Sequence, residues 1–153
     1  MADPTLFQNG YFAITTSTAS STYVELPGVK SISLPFSNAE LDDAVMGDVV
    51  EAKYPGLQSR PISVTARQDF TTTLAATSGL DKRIYTLQEN RTAVKVKIRP
   101  ADAAVSGTNP SYIYNRVRVF SSSPIDANHG ELLVNKIEFR LASGGTVTKS
   151  TST

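Results

Sequence analysis

The stretch "AVKVKIRP", residues 93–100, alternates apolar and basic side chains from its second to its seventh position. Successive side chains of a β-strand point to opposite faces, so an alternation with a period of two residues indicates a strand. The apolar residues share one face and the basic residues share the other: Val94, Val96 and Ile98 against Lys95, Lys97 and Arg99. The stretch therefore predicts a strand with one face on a hydrophobic core and the other turned outward.

Four further stretches show the same alternation, at residues 29–36, 61–68, 111–120 and 133–142. In "SYIYNRVRVF", the third of these, the period separates a buried face from an exposed face: Ile113, Val117 and Val119 against Tyr112, Tyr114, Arg116 and Arg118. Strands with one apolar face are stabilised when two sheets pack with those faces together. The predicted fold class is therefore mainly β, a β-sandwich or flattened barrel of two packed antiparallel sheets.

One segment between the strands has a helical pattern. Leu80, Ile84 and Leu87 recur at helical spacing. Ser78 precedes Asp81 by three residues, as in an N-terminal capping box. We expect one α-helix at about residues 79–90, which flanks a sheet through its apolar stripe.

Composition limits the kinds of protein to which the chain can belong. Its 153 residues suit one domain, and 15 basic against 14 acidic side chains argue against a general nucleic-acid binder. The absence of cysteine excludes disulfides and thiolate metal sites. No apolar run approaches the ~20 residues of a membrane-spanning helix, and the N-terminus lacks the features of a secretory signal, so we expect no membrane insertion.

The C-terminal end differs in composition from the rest of the chain. Residues 143–153 are rich in Gly, Ser and Thr, and Val147 is their only large apolar residue. Such a segment cannot bury much apolar surface. We expect one domain over residues 1–145 and a flexible tail at residues 146–153, whose removal leaves the melting temperature nearly unchanged.

Few side chains could support catalysis. Ser123, Asp126 and His129, the single histidine, lie within seven residues of one another. A nucleophilic triad is normally assembled from separate elements, and Gly130 after Asn128 and His129 is typical of a turn. We interpret the cluster as a surface loop. The sequence predicts no catalytic residue, no cofactor and no enzymatic function.

An acidic segment, "SNAELDDAVMGD" at residues 37–48, follows one of the predicted strands. Its four acids are Glu40, Asp42, Asp43 and Asp48. Carboxylates suit Ca²⁺ or Mg²⁺, but the spacing does not match an EF-hand loop and Met46 falls within it. We predict no metal site. We expect a long loop at about residues 37–54 whose acids are solvated or face another protein.

The charges are unevenly distributed along the chain. Residues 25–60 contain six acids and three bases, whereas residues 91–118 contain six bases and one acid. Ordinary solvated strand faces would account for this distribution. A self-complementary surface would account for it too, because head-to-tail contacts join different patches of two copies and build rings or filaments.

Three stretches give the order of the predicted elements: "LPGVKSISLPFSNAELDDAVMGD", "YPGLQSRPISVTARQD" and "NPSYIYNRVRVFSSSPIDANHGELLVNKIEFRLASGG". They contain a strand ending in "ISLPFSN", an acidic loop with "MGD", a "PG" turn with a core strand, and a closing "GEL…IEF" strand. In this order, over about residues 11–145, the chain resembles the major tail protein (tail tube protein) of tailed bacteriophages with long non-contractile tails.

The resemblance implies a structural role in the virion. Proteins of this family form hexameric rings that stack into the hollow tail tube, the conduit for genome delivery into the host. Their partners would be further copies of the chain and the tape-measure, tail-terminator and distal tail proteins. Double-stranded DNA would pass through without specific binding, which requires a neutral or acidic lumen. Assembly would take place in the cytoplasm of the host bacterium.

The resemblance also implies that the long loop reaches a neighbouring subunit or ring. We therefore expect contacts between acids of the loop and bases on the strands: Glu40, Asp42, Asp43 and Asp48 with Lys95, Lys97, Arg99, Arg116 and Arg118. Two other classes stay open. One is a tube protein of a contractile tail or secretion system, and the other is a β-sandwich binding or decoration module with Tyr112 and Tyr114 as an aromatic platform.

Overall fold

A computed structural model describes residues 10–26, 28–42, 53–70 and 79–152. Within these ranges the chain forms ten strands and one helix. In chain order they are β1 (Tyr11–Ile14), β2 (Val24–Glu25), β3 (Val29–Ser33), β4 (Ser37–Asp42), β5 (Lys53–Ser59), β6 (Ile62–Arg67), α1 (Leu80–Glu89), β7 (Val94–Arg99), β8 (Ser111–Asp126), β9 (Val134–Leu141) and β10 (Val147–Ser150).

Eight of the strands form one antiparallel sheet. Its order is β2-β1-β7-β8-β9-β6-β3, and β10 pairs with β8 outside this path. Strands β2 and β3 lie at the two ends and do not pair with each other in the described part of the chain, so the sheet is not a closed barrel. The other two strands, β4 and β5, pair with each other and with no other strand of the described ranges.

The large sheet folds over its own core. Phe12 on β1 and Phe139 on β9 have ring centroids 5.8 Å apart, although β7 and β8 separate their strands. In a flat sheet three strand spacings would place them about 14 Å apart. The two halves of the sheet therefore face each other, which fits a β-sandwich. The predicted fold class, mainly β with one flanking helix, is confirmed.

Strands β6, β7 and β9 bury the faces that the alternation predicts. Val94, Val96 and Ile98 lie in the core with the apolar faces of β6 and β9. Helix α1 adds Leu80 and Ile84, which are fully buried. The helix is one residue shorter at each end than the prediction, and Ser78 of the predicted capping box lies outside the described residues.

Strand β8 departs from simple alternation. Val94 is opposite Val117 and Val96 is opposite Tyr114, so between these pairs two residues of β8 lie against one of β7. This β-bulge changes which side chains face the core. Tyr114, predicted on the exposed face, is fully buried, and Ile113, predicted in the core, is partly exposed. These two assignments are wrong because the bulge reverses the alternation.

The segment predicted as a C-terminal tail contains a paired strand. Strand β10 lies on the same edge of β8 as β9, with Val147 opposite Tyr114. Val147 packs against the core, and the Thr146 backbone N–H donates to Asn115 Oδ1 at 2.6 Å. Residues 147–150 of the predicted tail therefore form a strand, and the flexibility of residues 146–153 stays a prediction.

The predicted long loop at residues 37–54 is also corrected. Its two ends are strands β4 and β5, which pair antiparallel from Ser37 opposite Ser59 to Asp42 opposite Lys53. The residues between them, 43–52, lie outside the described part of the chain. The described part of the segment is a β-hairpin.

Candidate assembly surface

We call strands β4 and β5 together the arm. No residue of either strand is buried. Three large apolar side chains are nevertheless present and exposed: Leu41 at 54%, Tyr54 at 63% and Leu57 at 87%. A two-stranded hairpin without further packing is marginally stable. The arm thus has the apolar surface of an interface element and no buried face of its own.

The pairing within the arm depends on a glycine. Leu41 is opposite Tyr54, and a β-carbon added at Gly56 would lie 2.9 Å from Leu41 Cγ and 3.2 Å from the Ala39 carbonyl oxygen. A larger residue would displace Leu41. Gly56 therefore lets one apolar side chain fold across the arm.

Aromatic and cationic side chains hold the base of the arm. The Arg60 guanidinium lies 4.3 Å from the centroid of the Phe36 ring, and the Phe36 and Tyr112 rings meet edge to face at 6.2 Å. The Lys149 ammonium lies 5.9 Å from the Tyr112 ring. Such cation–π contacts stabilise by about 0.5–1 kcal/mol each at exposed sites. Together they fix the point from which the arm leaves the sheet.

The structure places two of the four predicted acids. Glu40 and Asp42 are exposed on β4, where Glu40 is opposite Pro55. Glu40 forms no ion pair with any residue in the described ranges. Asp43 and Asp48 lie outside those ranges. The acidic character of the described arm therefore comes from Glu40 and Asp42.

The bases of β7 have partners within the chain. Lys95 Nζ donates to the Ser20 carbonyl oxygen at 3.1 Å, and the Lys97 ammonium lies 5.5 Å from the Tyr23 ring. Arg99 is more enclosed: it pairs with Asp102 Oδ1 at 3.3 Å, donates to the Ala103 carbonyl oxygen and lies 4.0 Å from the Tyr11 ring. The alternation identified this face but could not show that distant segments lie against it.

The bases of β8 are more accessible. Arg116 and Arg118 are exposed, and neither forms an ion pair with a described residue. Arg118 is directly opposite Arg140 of β9. Arg140 and Arg91 are exposed beside it, and neither was singled out from the sequence. The strand register, which a single sequence does not supply, is what brings them together.

The serine, aspartate and histidine cluster does not form a triad. Ser123 and Asp126 lie on β8, and the Asp126 carboxylate pairs with Lys136. His129 is exposed in the turn after the strand. Across the described ranges, no three His, Cys, Asp or Glu side chains are grouped to hold a metal ion. No helix in those ranges is long and apolar enough to cross a membrane.

Comparison with solved structures identifies the fold. No protein-family model matches the sequence, and no curated protein matches it. Among solved structures, the SPP1 tail tube has a TM-score of 0.68 at 11% identity, over 97% of this chain and 80% of that one. A chain of the native gene transfer agent virion has a TM-score of 0.62 at 12% identity, over 90% and 95%.

A third match comes from a contractile apparatus. A chain of the sheath–tube complex of an extracellular contractile injection system has a TM-score of 0.56 at 13% identity, over 97% of this chain and 92% of that one. The chain thus has the fold of tail tube proteins. The resemblance predicted from the sequence, to the tube protein of phage tails, is confirmed at the level of the fold.

Proposed function

We propose that the protein is the structural subunit of a phage tail tube. Copies would form hexameric rings that stack into a hollow conduit for genome delivery. The observation that carries this proposal is the arm, an exposed hairpin with apolar and acidic side chains on a chain with a tail tube fold. An element of this kind gains its stability when it packs on another copy.

The same proposal defines partners and location. Tail-terminator, tape-measure and distal tail proteins would contact the tube, which would lie in the virion after assembly in the host bacterial cytoplasm. DNA would pass through the lumen without specific binding. A near-neutral chain supports this, because an uncompensated basic wall would hold phosphates.

Assembly of the purified protein tests the function. We expect rings of six or tubes in negative-stain images and masses of multiples of the 16.4 kDa chain by mass photometry. A protein that stays monomeric at high concentration, with and without tail partners, is incompatible with the proposal. Binding to a co-encoded sheath protein would instead favour the second candidate, a contractile tube, which the contractile injection system match supports.

A binding or decoration module has less support. That reading requires an aromatic platform of Tyr112 and Tyr114, and Tyr114 is fully buried. Tyr112 is partly buried between Phe36 and Lys149. The two rings therefore do not form a shared exposed surface.

Charge reversal tests the role of the acidic segment. We expect Asp42→Lys combined with Asp43→Lys to reduce tube length or yield, more steeply at low salt where like charges are least screened. The candidate partners are Arg116 and Arg118, and Lys95, Lys97 and Arg99 if their internal contacts open. The control is Glu25→Lys, an exposed acid on β2. Normal tubes of the double variant at all salt concentrations would remove the segment from the interface.

A further inference from the structure

Three arginines surround one open cavity on the outer face of β8 and β9. Arg91, Arg118 and Arg140 line a space of about 360 Å³ together with Phe120. We call these four residues the arginine socket. Arg118 and Arg140 are direct cross-strand neighbours, an arrangement in which like charges destabilise a sheet. The socket therefore concentrates positive charge at some cost to the isolated chain.

The charge of the socket is only partly compensated. Glu138 Oε1 accepts a hydrogen bond from Arg140 Nε at 2.7 Å. Arg91 and Arg118 form no ion pair with any residue that the structure describes. The socket thus has one carboxylate for three guanidinium groups, and charge-assisted hydrogen bonds would stabilise a further anion there.

An aromatic side chain completes the surface. Phe120 is 58% exposed, and the Arg140 guanidinium lies 3.7 Å from its ring centroid. Arginine and aromatic residues are enriched among the side chains that dominate protein interfaces. The socket therefore offers apolar area as well as charge.

Arg91 has a backbone conformation that favours glycine. Its φ is 51°, and among the described residues it is the one non-glycine residue with positive φ. It follows the C-cap of α1, where its N–H donates to the Gln88 carbonyl oxygen and that of Thr92 to the Leu87 carbonyl oxygen. Glycine is the common residue at this left-handed position. Strained conformations tend to persist where the side chain has a function.

We propose that the arginine socket of one copy binds the arm of a second copy, with Glu40 as the carboxylate that enters it. This inference rests on the proposed function and names the receiving surface. Glu40 is exposed and lies directly opposite the exposed Pro55 of β5, so an acid and an apolar ring share one face of the arm. The socket presents the complement, guanidinium groups beside Phe120. A nucleic-acid phosphate would satisfy the charge and leave both apolar surfaces in water.

Replacement of Arg91 by glycine separates binding from folding. Arg91→Gly removes the guanidinium and relieves the strained φ, so we expect an equal or higher melting temperature and weaker subunit association, by about tenfold. A residue with a purely structural role would change both quantities in the same direction. A lower melting temperature with normal tubes would overturn the role of Arg91.

Exchange of charges tests the pairing. We expect Arg118→Glu and Glu40→Arg each to reduce tube assembly, and the doubly substituted chain to recover part of it, because the two charges are exchanged and still opposite. Assembly recovers in the doubly substituted chain only if the two residues contact each other in the tube. Additive losses in the double variant would contradict the pairing.

Disulfide cross-linking reports the contact directly, because the natural chain has no cysteine. A Glu40→Cys chain mixed with an Arg118→Cys chain should form intermolecular disulfides under mild oxidation. The control mixes Glu40→Cys with Tyr85→Cys, an exposed position on α1. A cross-link equally strong in the control, or none in either mixture, would reject the socket.

The outcomes distinguish the two proposals. A wild-type chain that never assembles rejects the proposed function. A wild-type chain that forms tubes, with Arg91→Gly and Arg118→Glu forming them equally well, rejects the socket and leaves the function standing. Retention of a short DNA duplex by the wild type, lost in Arg118→Glu without any change in assembly, would identify phosphate as the ligand and overturn the arm as its occupant.

Discussion

We call the eight-stranded sheet with α1 the body of the molecule. The body and the arm both contain antiparallel strands, yet different interactions stabilise them. In the body, strands such as β6 and β7 alternate buried and outward residues. In the arm, neither strand has a buried residue. Both regions pair their strands through backbone hydrogen bonds, so the difference lies in side-chain burial. We therefore expect the arm, which has paired strands and no buried face, to gain its packing from a partner.

The largest expected effect is in the core of the body. Phe139 is fully buried and contacts Phe12 across the folded sheet. Phe139→Ala leaves a cavity, so we expect a loss of about 3–5 kcal/mol and a melting temperature lower by roughly 10 °C. Thermal unfolding followed by circular dichroism measures it. A shift as small as that of an exposed residue would mean that the two halves of the sheet do not share one core.

A pH effect of intermediate size is expected at Tyr114. Burial raises the pKa of Tyr114 to about 12, and the nearby Arg60 guanidinium opposes part of this rise. Between the ordinary value of 10 and the raised value the unfolded chain releases the phenolic proton and the folded chain keeps it. Stability should therefore fall as the pH rises through this window, by about 2–3 kcal/mol in total.

Tyr114→Phe is the matched control for that pH dependence. The Tyr114 hydroxyl is buried without a hydrogen-bond partner in the described part of the chain. Its removal should change stability at pH 7 by less than about 1 kcal/mol and should flatten the decline above pH 10. The pKa of Tyr23 is also raised, by burial first and Tyr11 second, so some decline should remain. An unchanged slope would exclude Tyr114 as its source.

Tyr114 also shows which side-chain orientations cannot be predicted from the sequence. Alternation predicted the core faces of β6, β7 and β9 because regular strands keep a period of two. It failed at Tyr114 and Ile113 because a bulge adds a residue on one strand only, and the opposing strand determines where. A hydrophobic pattern within one stretch contains no information about its partner's register.

The candidate assembly surface, like the fold, was predicted from the sequence only in part. The acidic segment and Arg118 were identified from charge alone. The arm was predicted as a loop because its strands have no apolar face to mark them. Arg91 and Arg140 were missed because they join Arg118 only through the β8–β9 register and the end of α1. The bases of β7 were placed on an outward face, but segments remote in sequence lie against them.

A smaller loss of stability is expected from removal of β10. Truncation after Gly145 removes the strand that pairs with β8 and exposes part of the core beside Val147. We expect a cost of about 1–3 kcal/mol, seen as a melting temperature several degrees lower. Truncation after Ser150, which keeps β10, is the control and should have no measurable effect. Equal stability of both truncated chains would support the prediction of a flexible tail.

The smallest expected change in stability is on the arm, and there the comparison with the body is most informative. Leu57 is 87% exposed in the single chain, so Leu57→Ser should alter the free energy of unfolding by less than about 0.5 kcal/mol. If the arm packs on a second copy, the same substitution removes apolar area from an interface repeated along the whole tube. Tube yield should therefore fall while the melting temperature of the unassembled chain stays constant. Leu132→Ser, at a 60% exposed position between β8 and β9, is the matched control and should change neither quantity. Equal effects of the two substitutions on assembly would place Leu57 in solvent, and the arm would then require another explanation for its apolar side chains.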